Sequence, residues 1–237
     1  MSWEDAAVAH AMQEAPKESC GLVVVVNGKL RYFPCENLAK EDEEFILSPQ
    51  HWALCEEEGD IRYVVHSHPS GSPEPSVADK ICCERGDTEW KIVNPFTKHW
   101  SSYKPCGYKP PLVGREWVWN LTDCWTLVRD WFKEKGIELK DWDRTETAEE
   151  FHAKPYFDDC WKDTGFKELE ETEQLQEGDC LLMALGGMNA NHVAVYTGNG
   201  EILHHLRDRL SSRDIYSTYL QKRTLRRLRY YDRERFA

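Results

Sequence analysis

The sequence predicts an α+β protein of two domains, and three observations lead there. Short apolar runs with strand character alternate with segments of helical spacing along the chain. One stretch, Lys104-Pro-Cys-Gly-Tyr-Lys-Pro-Pro-Leu-Val-Gly114, holds three prolines and two glycines and cannot continue a helix or a central strand. At 237 residues, with 41% hydrophobic residues and ten tryptophans, there is material for two small cores, one on each side of it. The boundary is placed in that stretch, giving domains 1–107 and 108–237.

In the first domain, Ala, Val and Met recur at helical spacing over residues 5–15, and the helix stops before Pro16. Cys20-Gly-Leu-Val-Val-Val-Val26 reads as a buried strand that Asn27-Gly28 turns into a second strand over 29–33. Ser48-Pro49 pairs an N-cap with proline at the first helical position and opens a helix to about residue 58. A strand over 61–65 ends in His66-Ser-His68-Pro69, and a Gly/Ser/Pro loop follows. A helix over 76–85 and strands over 90–93 and 99–103 complete the half. In the second domain a helix over 123–135 is ended by Gly136, and 143–177 reads as acidic and irregular. Three strands follow, over 180–185, 192–196 and 201–205, the last two joined by Thr197-Gly-Asn-Gly200.

The net charge of −12 disfavours nucleic acid and anionic membranes as partners. Residues 221–237 nevertheless hold seven basic and two acidic residues. A terminal strand with solvated arginines is favoured there over docking on an acidic partner. The longest strongly apolar run, Leu22 to Val26, is far too short to span a bilayer, and Met1-Ser-Trp-Glu-Asp5 has neither a basic start nor an apolar run. No signal peptide or transmembrane segment is therefore expected, and the protein begins in a cytoplasm. Nine cysteines with no C-x-x-C pair argue against a disulfide framework, and most read as buried small hydrophobes.

Two constellations carry chemistry. In the first, His66-x-His68 at a strand end puts both imidazoles on one side of the chain, because side chains alternate with period two. They can reach one ion, and Asp79 supplies a third ligand if the helix after Pro75 folds back over the loop. Such a site leaves a position for water, whose pKa zinc lowers from about 16 to about 7. Glu18, just ahead of a core strand, can carry the proton to the leaving amine, and Ser76 can donate to the oxyanion. Taken separately, Ser76-Val-Ala-Asp79 is also a capping-box pattern, His-Ser-His-Pro a polar turn and Glu18 a surface glutamate. In the second, Cys124 opens a helix, whose dipole favours a thiolate. His192 stands at the mouth of a strand as a base, and the next strand brings His204 back beside it as an orienting group. His205 competes for that third role, since alternation lets only one of the pair face the site.

Glu18, His66-Ser-His68-Pro69 and Ser76-x-x-Asp79 together resemble the JAMM signature of the MPN-fold metalloproteases, and Glu18-Ser-Cys-Gly-Leu22 resembles its prokaryotic branch. The resemblance implies an MPN-like mixed sheet with flanking helices, one Zn2+ on His66, His68 and Asp79, and Glu18 as general base. Asp123-Cys124, Gly178-Asp179 and His192-Val-Ala-Val-Tyr-Thr-Gly-Asn-Gly-Glu-Ile-Leu-His204 resemble the NlpC/P60 cysteine peptidases, which have a papain-like core and cut peptidoglycan stem peptides. That resemblance implies Cys124 as nucleophile, His192 as base and His204 as orienting residue. Trp125-Thr126 departs from the small Ser-Gly pair usual in the family, and a bulky indole there is expected to narrow the groove.

The order of the two domains resembles tail-tip assembly proteins of lambda-like, long-tailed, non-contractile phages. Tyr32-Phe-Pro-Cys35, Thr122-Asp-Cys124, Gly200-Glu-Ile-Leu-His-His205 and Gln221-Lys-Arg-Thr224 add to the likeness. It implies a hydrolase made in the host cytoplasm and carried on the virion tail tip. Its partners would be other tail-tip proteins, and its substrate peptidoglycan stem peptides cut as the genome enters the host. Two alternatives stand beside it: a structural tail-tip component with occluded sites, and a cellular deconjugating peptidase for ubiquitin-like proteins.

Overall fold

The computed structural model describes residues 1–145 and 147–231. The chain divides into two compact units, Met1–Lys109 and Pro110–Ala237, and the division falls inside the proline-rich stretch.

The first unit runs α1 (Trp3–Glu14), β1 (Cys20–Val26), β2 (Lys29–Cys35), α2 (Pro49–Glu58), β3 (Asp60–Ser67), α3 (Val77–Cys83), β4 (Glu89–Val93) and β5 (Trp100–Tyr103). Its sheet has the order β2-β1-β3-β4-β5 and is mixed, since β3 and β4 are parallel and the other pairs antiparallel. β1 is covered on both faces, which explains its unbroken apolar run. On one face α1 presses Ala7 against Val23 and Val65. On the other, Cys20, Leu22 and Val24 pack with Cys35, Val64 and Cys55 of α2. Gly21 is required where β1 passes under Tyr32, because a Cβ there would collide with the phenol ring and the Phe33 carbonyl.

The second unit runs α4 (Cys124–Glu134), α5 (Ala148–His152), α6 (Tyr156–Cys160), a 3-10 turn (Trp161–Thr164), β6 (Phe166–Glu168), β7 (Cys180–Met183), β8 (His192–Gly198), β9 (Glu201–His204), β10 (Ser212–Ile215), α7 (Thr218–Arg223) and β11 (Thr224–Tyr230). An antiparallel sheet has the order β10-β9-β8-β7-β11-β6. Leu127, Val128, Trp131 and Phe132 form the buried stripe of α4 and join Val193, Val195, Leu203 and Leu228 in one core. The alternate residues Leu181, Met183, Ala194 and Ile202 form a second cluster with Tyr196 and Tyr216, as a period of two dictates. The architecture is the α+β arrangement of two domains that the sequence predicts, and none of the described helices is long and apolar enough to cross a membrane.

Two expectations need correction. The segment 143–177, in which Glu146 lies outside the described residues, is not irregular but carries α5, α6, the 3-10 turn and β6. Each of these is five residues or shorter, too short to show a period, and Phe151, Phe157 and Phe166 anchor them in the core. At the basic end, residues 232–237 lie outside the described residues, and 224–230 form the expected strand. Its arginines are not merely solvated. β11 lies between β7 and β6, where Arg226 Nε donates to Asp158 at 2.8 Å and Arg227 donates to the Glu170 and Glu173 carbonyls. Arg229 grips Asp179 with two bonds, at 2.9 and 2.7 Å. The acidic segment and the basic strand thus neutralise each other within the fold.

Asp179 is fully buried, so removing it leaves the largely buried Arg229 guanidinium with only Glu173 and the Gln174 carbonyl as partners. Asp179→Ala is expected to destabilise the second unit by about 3 kcal/mol, read as a lower urea midpoint by circular dichroism; an unchanged midpoint would show the pair to be dispensable.

Candidate functional sites

In the first unit, strand register builds the site. Cys20 pairs with His66 across β1 and β3, and the ladder continues through Ser67 N–H to the Ser19 carbonyl at 3.1 Å and Ser19 N–H to Ser67 Oγ at 2.8 Å. Glu18 therefore arrives beside His68, with its Oε1 3.6 Å from His68 Nε2. The parallel neighbour β4 continues past its end to hold the loop: His68 N–H donates to the Val93 carbonyl at 2.9 Å, and Asn94 Nδ2 donates to the carbonyls of His68 and Gly71. Asn94 is a buried support that no motif in the sequence marks.

The loop returns Asp79 from α3. Ser76 caps that helix reciprocally: its Oγ accepts from the Asp79 amide at 3.0 Å, while its own amide donates to Asp79 Oδ2 at 2.7 Å. The capping-box reading and the site reading of these residues hold together, because the cap aims the carboxylate. Asp79 Oδ1 lies 3.2 Å from His66 Nε2 and Oδ2 lies 3.4 Å from His68 Nε2, and the two imidazole nitrogens are 3.1 Å apart. A carbonyl only accepts, so the 2.8 Å contact from His68 Nδ1 to the Ser72 carbonyl places a proton on Nδ1 and turns Nε2 toward Asp79. Nε2 donates to Asp79 while the ring is protonated and is bare for an ion when the ring is neutral. His66 is fully buried, stacked on Phe45 with ring centres 4.5 Å apart.

The cluster divides its charges. Burial pushes Glu18 up to about 8, with Asp79, Glu43 and Glu44 adding to it against the pull of His68. Burial also opposes ionisation of Asp79, but hydrogen bonds from His66 and His68 outweigh it and hold the carboxyl well below its ordinary range. Burial lowers the pKa of His66. For His68 burial pulls the same way, yet its bonds to Asp79 and the Ser72 carbonyl leave its pKa raised. Donor atoms of Glu18, His66 and His68 lie within 4.8 Å of one another, a grouping that could hold a metal ion. The separations among the two imidazoles and Asp79 match the ~3.3 Å between ligands of a tetrahedral ion bound at 2.0–2.1 Å. Cys20, two residues from Glu18, packs in the core with its thiol toward the Cys35 and Glu36 carbonyls.

In the second unit, Asp123 is the N-cap of α4 and Cys124 its first residue. Asp123 is fully buried, its Oδ1 accepting from Thr126 N–H at 2.9 Å and its Oδ2 from Asn120 N–H at 2.9 Å. Cys124 lies in the same core as Val193, the residue that follows His192 on β8. Burial pushes that thiol up to about 12, with the Asp123 charge adding to it. Ala194 pairs with His204, so His192, two residues back on the same strand, is a diagonal neighbour, and His192 Nε2 meets His204 Nδ1 at 3.1 Å. His205 points elsewhere, its Nε2 donating to the Arg209 carbonyl at 3.0 Å, so His204 is the member of the pair that touches His192.

Two features differ from expectation. Trp125 is 4% exposed, stacked on Trp142 at 4.2 Å with its Nε1 donating to Asp141 at 3.2 Å. It fills the interior and does not project into an open groove. Asp214, absent from the sequence reading, accepts from His204 Nε2 at 2.8 Å, and that bond lowers its pKa. No motif marks it, and only the pairing of β10 with β9 brings it there.

Residues 1–104 match the family of prokaryotic homologues of the JAB domain, and residues 114–229 match the NlpC/P60 family. Tail tip assembly protein K of Escherichia phage N15 is 38% identical over 232 residues, which cover 96% of this chain and 94% of that protein. Tail tip assembly protein K of Escherichia phage lambda is 36% identical over 178 residues, covering 75% of this chain and 86% of that protein.

Glu18 generates a test in the metal-free protein. Its folded pKa of about 8 exceeds the ordinary 4.5, so between those values the folded chain holds a proton that the unfolded chain releases. Stability from this group is therefore lost as pH rises through that window. With chelator present, Glu18→Gln should gain stability relative to wild type between about pH 5 and pH 8 in urea unfolding. A pH-independent difference would show that Glu18 is not held protonated.

Proposed function

The chain belongs to the family of tail tip assembly protein K, and on that premise we propose that it is a tail-tip hydrolase with two peptidase sites, one metal-dependent and one thiol-dependent. One observation supports the reading: His66, His68 and Asp79 meet at 3.1 to 3.4 Å in the first unit, and His192 meets His204 at 3.1 Å in the second.

In the first unit His66, His68 and Asp79 are assigned as ligands of one zinc ion. Two imidazoles and a carboxylate suit zinc, and the spacing of their donor atoms fits a tetrahedral set. Glu18 is the alternative third ligand, but Asp79 lies nearer the imidazoles and is held ionised, as a ligand must be. When bound, the ion supplies Lewis acidity for peptide hydrolysis. Beside a bound cation Glu18 would be ionised, and as a carboxylate it would take a proton from water and deliver it to the leaving amine. Ser76 accepts from the Asp79 amide with its oxygen, which leaves its hydroxyl proton to donate to the oxyanion.

In the second unit Cys124 is assigned as nucleophile, His192 as base and His204 as the residue that orients it. Burial keeps the thiol protonated, so the proton leaves as the sulfur attacks. His192 takes it on the nitrogen that His204 does not occupy, and sulfur adds to the scissile carbonyl carbon. The same proton passes to the departing amine, and water then hydrolyses the thioester. Peptidoglycan stem peptides are the proposed substrate, cut as the genome enters the host. The proposed partners are other tail-tip proteins, met in the host cytoplasm during assembly and retained in the virion. Kinship with the tail tip assembly proteins of the two phages supports the setting.

Purified protein is expected to hold about one zinc per chain by elemental analysis, lost in the double variant His66→Ala with His68→Ala. Full retention in that variant would place the ligands elsewhere. Purified peptidoglycan digested with wild type should release stem-peptide fragments detectable by mass spectrometry. Cys124→Ala should abolish that cleavage and leave the zinc content unchanged, whereas persistent cleavage rejects the nucleophile assignment.

A further inference from the structure

His66 and His68 stand in the same cluster but are held in different ways. His68 donates its Nδ1–H to the Ser72 carbonyl at 2.8 Å, which fixes the ring about its Cβ–Cγ bond. His66 has no such tether. The residue is fully withdrawn from water, and its Nδ1 is buried with no hydrogen-bond partner among the described residues. A histidine that ligates a metal through one nitrogen is ordinarily oriented by a hydrogen bond from the other. The lone pair of a ligating nitrogen lies in the ring plane, so it misses the ion when the ring turns. Some other contact has to hold the plane of His66.

Two aromatic side chains enclose that ring. Phe45 stacks on it with ring centres 4.5 Å apart and planes 24° apart, and Trp90 meets it at 5.5 Å and 79°. Phe45 and Trp90 also touch, at 5.3 Å and 57°, so the three rings form one group. Trp90 pairs with Val64 and Ile92 with His66 across β3 and β4, which puts Trp90 and His66 on the same face of the sheet. Rotation of His66 about its Cβ–Cγ bond would drive the imidazole edge into the Phe45 face. Stacking therefore restrains the same motion that a hydrogen bond restrains in His68.

The segment that carries Phe45 is anchored in turn. Asn37 bridges to Leu47 at its base, and Asn37 Oδ1 accepts from the Ala39 and Ile46 amides at 2.9 and 3.0 Å. Asn37 Nδ2 donates to the Glu18 and Glu44 carbonyls at 2.9 and 2.8 Å, and the Glu18 amide donates to the Asp42 carbonyl at 2.9 Å. One loop thus braces the backbone of Glu18 and presents Phe45 to His66.

We propose that Phe45 is a positioning residue of the metal site, whose ring, backed by Trp90, clamps the His66 imidazole in the plane that points Nε2 at the ion. The proposal rests on the reading of His66, His68 and Asp79 as zinc ligands. In the clamped orientation His66 Nε2 lies 3.1 Å from His68 Nε2 and 3.2 Å from Asp79 Oδ1. Phe45 supplies no donor atom and acts only through His66. It also packs on the core of the first unit, so ring stacking has to be separated from mere bulk.

The test measures the zinc affinity of the full chain by competition with a chromophoric chelator. It compares wild type with Phe45→Ala, Phe45→Leu, Phe45→Tyr and His66→Ala, each checked for native fold by circular dichroism. The visible spectrum of the cobalt(II)-loaded proteins reads the ligand geometry. Phe45→Ala and Phe45→Leu should weaken zinc binding by about tenfold to a hundredfold and alter the cobalt spectrum. Phe45→Tyr keeps the planar ring and should match wild type in both. Wild-type affinity and spectrum in folded Phe45→Ala overturn the proposal. Phe45→Leu that matches wild type also overturns it, since bulk alone would then suffice, as does Phe45→Tyr that binds as weakly as Phe45→Ala. Absence of zinc binding in wild type, or its full retention in His66→Ala, would refute the ligand assignment itself.

Discussion

Strand register is the constraint on which both sites depend. The β1–β3 ladder sets Cys20 opposite His66, and one further step, through Ser19 and Ser67, delivers Glu18 to His68. In the second unit the β8–β9–β10 ladders set Ala194 opposite His204 and His204 opposite Ser212, so that the diagonal neighbours His192 and Asp214 close on His204. A slip of one residue in either ladder would turn alternate side chains to the opposite face and dismantle the cluster. Burial of successive residues in β1, β8 and β9 makes such a slip costly, since it would exchange the apolar sets on both faces as well.

Burial then separates groups that are chemically alike. Glu18 and Asp79 are both carboxylates at the same pair of imidazoles, and both are largely withdrawn from water. Asp79 receives hydrogen bonds from both histidines and from its own helix cap, so it stays ionised, whereas Glu18 has too few such partners to offset desolvation. The difference in hydrogen bonding turns two acids into one anion and one proton carrier. In the second unit the thiol is buried beside the Asp123 charge, which favours the protonated form and makes the position of the proton acceptor decisive.

The uneven charge of the chain has a structural use. Arg226, Arg227 and Arg229 on β11 meet Asp158, Glu168 and Asp179 and the carbonyls of Glu170 and Glu173 from the acidic middle of the second unit. Asp179, which the sequence marks only as the acidic residue entering a strand, is the buried anchor of that network. It ties the start of β7 to the end of β11, and β8 pairs with the opposite edge of β7. The strand that carries His192 thus lies one pairing away from the ion pair.

Much was legible in the sequence because the signals are local. His66-x-His68, Ser76-x-x-Asp79, the helix opened by Asp123-Cys124 and the strand after Gly178-Asp179 each express a geometry set within a few residues. The two-domain α+β architecture followed from the same local periods and from the proline-rich break. Other features came only from the fold. Asp214, Asn94 and the partners of the β11 arginines act through contacts between strands far apart in sequence, and no period or spacing encodes those pairings. The short elements of 143–177 were hidden because fewer than two helical turns leave no repeat to read. The sequence alone determined which residue types stand at the strand and helix ends. Tertiary structure decided which of two adjacent histidines faces the site, that Trp125 turns inward, and how the carboxylates differ. Those outcomes depend on register, burial and the count of hydrogen bonds, which exist only once distant segments have packed.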